Sequence, residues 1–247
     1  TNENDLELLT HNLSIINYDS ATRTVKAWAN ERQFREFELS NIEYQVPKSE
    51  NEVNETAIYD VNPLANRGMA STLTFPLSSY PTYADYAQQM QDFEDDYPAL
   101  VEKVSIGTTG QGDKELLFVK ISDNVSTDEA EPKLMFTSSM HGDEIAGYPM
   151  MLTLIDYILT VYADTGHADH ARVKNLVENA EIWINPSANP DGTYNSSSDN
   201  TSVVNARRGN GNNIDLNRNY PDNVAGAHDD GEAYQTETLA FMCLAEA

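Results

Sequence analysis

The sequence predicts an α/β layered domain with parallel strand pairs, preceded by a small α+β unit. Two observations carry that prediction. Past residue 133, short apolar strands alternate with helix-length amphipathic runs, the rhythm of a layered α/β domain. Residues 13–46 instead hold two short strands, one helix and an alternating tail, with little apolar surface for a core of their own. The 247 residues leave room for both units.

In chain order, residues 13–18 and 24–29 read as strands. Asn30 reads as the N-cap of a short helix with Phe34 and Phe37 on one face, and Ile42, Tyr44 and Val46 alternate behind it. Residues 48–79, rich in Ser, Asn, Thr, Glu and Pro without a period, read as connecting chain. The expected organisation is a small unit over 1–47, a linker over 48–79 and the main domain over 80–247. A helix is predicted over 82–96, because Tyr83, Tyr86, Met90, Phe93 and Tyr97 recur at three- and four-residue spacing and Pro98 stops it. Residues 104–107 and 116–121 form a hairpin across Gly110-Gln111-Gly112-Asp113. A strand over 133–140 leads into a helix over 144–162, whose Pro149 is tolerable near the first turn but could bend it. A further helical segment at 172–179 and a strand at 181–185 follow.

Composition narrows the function classes. With 40 Asp and Glu against 15 Lys and Arg, the formal charge of −25 repels phosphate backbones and anionic membrane surfaces, so nucleic acid is not an expected partner. Cys243 is the single cysteine, which leaves neither an internal disulfide nor a thiolate zinc site. A metal would have to sit on His and carboxylates. The longest apolar stretch, 148–162, is short for a membrane span and is interrupted by Asp156. Residues 1–5 lack the basic-then-apolar pattern of a signal peptide.

Three pieces carry candidate chemistry. Met140-His141-Gly142-Asp143-Glu144 comes directly after an apolar strand, at the carboxyl edge where α/β folds place ligands. A His and a Glu three residues apart in the turn into a helix can grip one ion, imidazole nitrogen and carboxylate oxygen both being zinc donors. Asn189-Pro190-Asp191-Gly192 has the pattern of a type I turn. In the Gly/Asn-rich stretch from Arg207-Arg208-Gly209-Asn210 to Asp215-Leu216-Asn217-Arg218-Asn219-Tyr220-Pro221, three of the 15 basic residues gather. An arginine fork matches a carboxylate bidentately, and a neighbouring Asn adds a donor and an acceptor.

In this order, the three pieces resemble the zinc metallocarboxypeptidases of the carboxypeptidase A family, peptidase family M14, in their N-terminal part only. The resemblance runs from about residue 80 onward and includes Tyr234-Gln235-Thr236-Glu237-Thr238, similar to the family's Gln/Pro-Glu-Thr segment. It implies a three-layer sandwich around a mixed, largely parallel sheet, incomplete in this chain. Residues 1–47 resemble, more loosely, a pro-segment or accessory unit. His141 and Glu144 look like the first two ligands of a zinc ion (Zn2+). Arg208 is similar to the arginine that polarises the scissile carbonyl and stabilises the developing oxyanion. Asn217 and Arg218 look like the pair that holds the free C-terminal carboxylate of a peptide or protein substrate. The implied reaction is removal of C-terminal residues by attack of zinc-activated water, with a Glu as general base. The family's third ligand, a His, and its later Tyr and general-base Glu are expected beyond Ala247, so the chain as given is expected to be inactive. His11, His167, His170 and His228 read as surface histidines. A secreted or periplasmic location follows from the resemblance alone.

Two other readings compete. A zinc amidohydrolase of the aspartoacylase or desuccinylase type also has a His-x-x-Glu and an Asp-Leu-Asn-Arg. A noncatalytic acidic interaction module predicts that the arginines face acidic neighbours and that His141 and Glu144 point apart, whereas the peptidase reading predicts that His141, Glu144, Arg208, Asn217 and Arg218 converge on one cleft.

Overall fold

The structure, a computed structural model, describes residues 9, 13–29, 31–40, 42–46, 72–75, 77–195, 197–199, 201, 204–221, 226, 228 and 231–246. The chain divides into two units, Thr1–Val61 and Asn62–Ala247. The division falls inside the 48–79 stretch, most of which lies outside the described residues, as does Asn30.

In the first unit, β1 (Ser14–Asp19) and β2 (Thr24–Trp28) pair antiparallel, and Asp19 Oδ1 accepts from the amides of Ala21 and Thr22 to close the turn. Helix α1 (Glu31–Glu38) presents Phe34 and Phe37 on one face. The alternation at 42–46 does not form a strand. Tyr44 instead sets its ring edge-on against Phe34 and Phe37, 5.4 Å from each, so aromatic packing wins over the period-two pattern.

The second unit begins its described part at residues 72–77, where Phe75 enters the core and the amides of Thr72 and Leu73 donate to Asp92 and Gln89 of α2 (Tyr83–Asp96). Thr82 caps α2 by accepting from the Asp85 amide. Strands β3 (Val101–Thr108) and β4 (Glu115–Ile121) form the expected antiparallel hairpin. Then come β5 (Lys133–Thr137), α3 (Gly147–Ala163), α4 (His170–Val177) and β6 (Glu181–Asn185). The sheet order is β3-β4-β6-β5, a mixed sheet in which β5 and β6 are parallel and the other junctions antiparallel.

Strand β4 is buried on both faces, the mark of a sheet covered by helices on each side. Leu117, Val119 and Ile121 point into the larger core, with Tyr86, Met90 and Phe93 of α2, Leu152, Ile155 and Leu159 of α3, and Val173 and Val177 of α4. Leu116 and Phe118 point the other way, onto Phe241 of α6 (Thr236–Glu246). These layers leave the carboxyl ends of β5 and β6 side by side. No helix among the described residues is long and apolar enough to cross a membrane.

Candidate metal centre

Strand β5 ends three residues earlier than its apolar run suggests, because Ser139 takes a positive φ of 55° and turns the chain. The Glu144 amide then donates to the His141 carbonyl, and Ser139 Oγ donates to the Glu144 carbonyl. Residues 144–146 are consumed by this turn, so α3 starts at Gly147 rather than 144, with Pro149 in its first turn where a missing N–H costs nothing.

The other two motifs lock onto this turn. Asn189 Nδ2 donates to the carbonyls of Met140 and Arg208, and Thr193 Oγ1 donates to the Gly142 carbonyl. The Gly142 amide reaches the Arg208 carbonyl, and the Arg207 amide reaches the Gly192 carbonyl. Three stretches that are not adjacent in the chain thus form one backbone knot. Gly142 lies at its centre: a Cβ there would stand 2.4 Å from Gly192 C, 2.5 Å from Thr193 N and 2.6 Å from Arg207 O, all backbone atoms. The short helical turn α5 (Pro190–Thr193) is capped by Asn189 Oδ1, which accepts from the Gly192 amide.

His141 is buried, and its Nδ1 lies 3.1 Å from Glu144 Oε1. Its Nε2 lies 3.0 Å from Asp215 Oδ1. A carboxylate accepts only, so each contact needs a proton or a cation between ring nitrogen and oxygen; in the tautomer that donates Nε2–H to Asp215, the Nδ1 lone pair faces a second carboxylate oxygen. Two lone pairs at that distance repel unless a proton or a cation lies between them. Donors on one tetrahedral zinc, each about 2.0–2.1 Å from the ion, stand about 3.3 Å apart. The pair therefore fits a shared cation, with Asp215 setting tautomer and ring orientation from behind.

Asp215 also accepts from Arg208 Nε at 2.8 Å and from the Asn217 amide at 3.0 Å, so it caps the short turn Leu216–Arg218. Burial pushes its carboxyl up, but the bonds from Arg208, His141 and Asn217 outweigh that and hold it below the ordinary carboxylate range. Arg208 Nη1 lies 3.7 Å from Glu144 Oε1. His141, Glu144 and Arg208 thus come together directly. Asn217 and Arg218 sit exposed on the turn that Asp215 begins, Arg218 Nη1 donating to the Asn217 carbonyl. Asp215 is the site residue that sequence reasoning passed over. Its signal was the same Asp-Leu-Asn-Arg run, combined with the rule that a ligand His gives its second nitrogen to a carboxylate.

His167 and His170 are half-buried and structural: His167 Nδ1 accepts from the Asp169 amide, and His170 Nδ1 contacts the Val161 carbonyl. Asp123, Glu129 and Glu131 bring carboxylate oxygens within 4.8 Å of one another, a largely exposed cluster of the kind an acidic chain forms without any ion.

The site thus sets a strand-edge His and Glu face to face, with a carboxylate behind the His and an arginine beside them, on a mixed α/β sheet. The sequence profile of the zinc carboxypeptidase family, peptidase family M14, matches residues 86–239, and the chain belongs to that family. Human carboxypeptidase D is 35% identical over 154 residues, which span 62% of this chain and 10% of that protein. A zinc carboxypeptidase of Saccharothrix mutabilis subsp. capreolus is 39% identical over 124 residues, 49% of this chain and 27% of that protein. The chain therefore spans under a third of the length of these curated relatives. The crystal structure of carboxypeptidase A from Helicoverpa armigera shares the fold with a TM-score of 0.54 at 20% identity, covering 99% of this chain and 64% of that one.

Proposed function

We propose that this chain is the N-terminal part of a zinc-dependent carboxypeptidase that removes C-terminal residues from peptides or proteins. One observation carries the reading: His141 Nδ1 and Glu144 Oε1 face each other at 3.1 Å while Asp215 occupies the other ring nitrogen. That is the opposite of the divergence the interaction-module reading expects, although Arg208 faces Asp215 and Glu144 as that reading also expects. His141 and Glu144 are assigned as two ligands of Zn2+, and bound zinc would supply Lewis acidity and lower the pKa of a water. Arg208, held at the site by Asp215, is assigned to stabilise negative charge on the scissile carbonyl oxygen. Asn217 and Arg218, exposed on the adjoining turn, are assigned to hold the substrate's free carboxylate, which restricts cleavage to the chain end.

Two ligands make an incomplete set for a catalytic zinc, which takes three and keeps one position open. On this reading a third protein ligand and a general base complete the site, and neither is assigned among the described residues. Residues 80–247 are assigned to the catalytic domain, 1–47 to an accessory unit and 48–79 to a linker whose last described residues pack onto the catalytic domain's core, with a secreted or periplasmic location.

Calorimetric zinc titration tests the proposal on this chain and on a form extended through the next downstream His, each with and without His141→Ala. Tight binding by the extended form alone, abolished by His141→Ala, supports it. An extended form that ignores zinc, or binds it equally without His141, removes the catalytic assignment.

A further inference from the structure

Glu237 is completely buried in the first turn of α6, and its two oxygens serve other segments: Oε1 accepts from the Gly110 amide at 3.0 Å and Oε2 from Asn210 Nδ2 at 3.1 Å. An ionised carboxylate at this depth is costly unless its neighbours answer it, so it demands that both donors stay in place. Asn210, equally buried, has its whole amide engaged. Nδ2 donates to Gln235 Oε1 as well as to Glu237, while Oδ1 accepts from the amides of Asn212 and Ile214. Ile214 directly precedes Asp215. At the far end of the loop, Asn219 Oδ1 accepts from the Gln235 amide at 2.7 Å, and Asn219 Nδ2 donates to the Ala233 carbonyl.

Both ends of the loop carrying Asp215, Asn217 and Arg218 are therefore gripped by residues 233–237. A second buried carboxylate, Asp191, holds the facing hairpin turn. It accepts from Thr109 Oγ1 at 3.0 Å, the Gln111 amide at 3.1 Å and Lys114 Nζ at 3.2 Å. Glu237 joins that turn to the loop through Gly110 and Asn210.

We infer that Glu237 is a positioning residue, which acts through Asn210 to set Asp215 and so the orientation of His141 and Arg208. That this loop serves a catalytic site rests on the carboxypeptidase reading; the clamp does not, and its test uses neither zinc nor substrate. Glu237→Gln keeps the shape but offers one oxygen to two donors and turns an NH2 toward the other. Asn210→Ala cuts the same link from the loop side.

The readout is the Arg208 Nε–H resonance in 1H–15N spectra of the full chain, because that proton bridges to Asp215 Oδ2. In Glu237→Gln and in Asn210→Ala its exchange with solvent quickens about tenfold, the scale of losing a hydrogen bond to a charged group. The double variant goes no further than the stronger single one, as for two members of one link. Ile155→Val, in the apolar core, lowers the melting temperature and leaves this resonance as in the wild type. If both loop variants leave the Arg208 signal unchanged, or if Ile155→Val perturbs it equally, Glu237 is merely structural. Should Glu237→Gln fail to fold, Asn210→Ala decides alone.

Discussion

On one face of the sheet, Tyr86, Met90, Leu152, Ile155 and Leu159 fill the space beneath α2 and α3 with apolar side chains. Next to the candidate site, Lys114, Asp191, Asn210, Gln235 and Glu237 are buried as well, and here the filling is charge and amide. The apolar region is held by a force that is non-directional and scales with area, so several arrangements of similar volume serve it. In the polar region each buried donor and acceptor needs its partner, and few arrangements satisfy all of them. The difference teaches where the fold keeps its bulk stability and where it keeps the geometry of the site.

Breaking the polar region at its buried ion pair has the largest expected effect. Lys114 and Asp191 have side chains only 4% and 0% exposed. Lys114→Met leaves the Asp191 carboxylate without its buried cation, an expected loss of about 3–5 kcal/mol in urea unfolding. Adding Asp191→Leu should restore only part of that stability, because it removes the unpaired buried charge but takes the acceptor from the Thr109 hydroxyl and the Gln111 amide, while zinc binding by the whole protein stays impaired. Recovery of both together would erase the distinction between the two regions.

In the apolar region the counterpart is Leu152→Ala, expected to cost about 2–5 kcal/mol through lost burial and a cavity. The Arg208 Nε–H resonance and zinc binding should survive it. Gly142→Ala inverts that pattern. The added methyl meets three backbone atoms of the knot, and overpacking of this kind costs about 1–3 kcal/mol. Because those atoms belong to the two stretches that clasp the His141–Glu144 turn, zinc affinity should fall further than stability does. A Gly142→Ala protein with normal zinc affinity and normal urea midpoint would show the knot to be loosely packed.

The same contrast explains what could be read in advance. The three- and four-residue spacing from Tyr83 to Phe93 and the Gly-rich turn between β3 and β4 are local signals of apolar packing, and the elements fall where they indicate. The start of α3 and the end of β5 were displaced by the turn between them, where the Ser139 hydroxyl donates to the Glu144 carbonyl, a contact that no local period announces. His141 and Glu144 were legible because three residues separate them. Asp215 meets His141 across 74 residues, so it could be singled out among 40 acids only by joining the Asp-Leu-Asn-Arg run to the rule that such a His gives its second nitrogen to a carboxylate. Lys114, Asp191 and Glu237 escaped for a related reason: charged residues read as surface, and only the assembled loops reveal them as buried.

The smallest expected effect belongs to Asp92, a polar group on α2 beside the core residue Phe93. Its Oδ2 accepts from the Thr72 amide and its Oδ1 from Gln88 Nε2. Burial raises its carboxyl pKa, while the bonds from Gln88 and Thr72 more than offset this and hold it below the ordinary value. A carboxyl depressed in the folded state adds stability that is fully present above its unfolded pKa, about 3.9, and is lost as pH falls through the lower folded value. Asp92→Asn keeps an acceptor for Thr72 but no charge, so it should cost about 1 kcal/mol near neutral pH. The gap in urea midpoint between wild type and variant should hold from pH 7 down to about 5 and close below about pH 4. A gap that persists unchanged at pH 3 would mean that the charge contributes nothing and that Asp92 belongs, energetically, with the apolar core it borders.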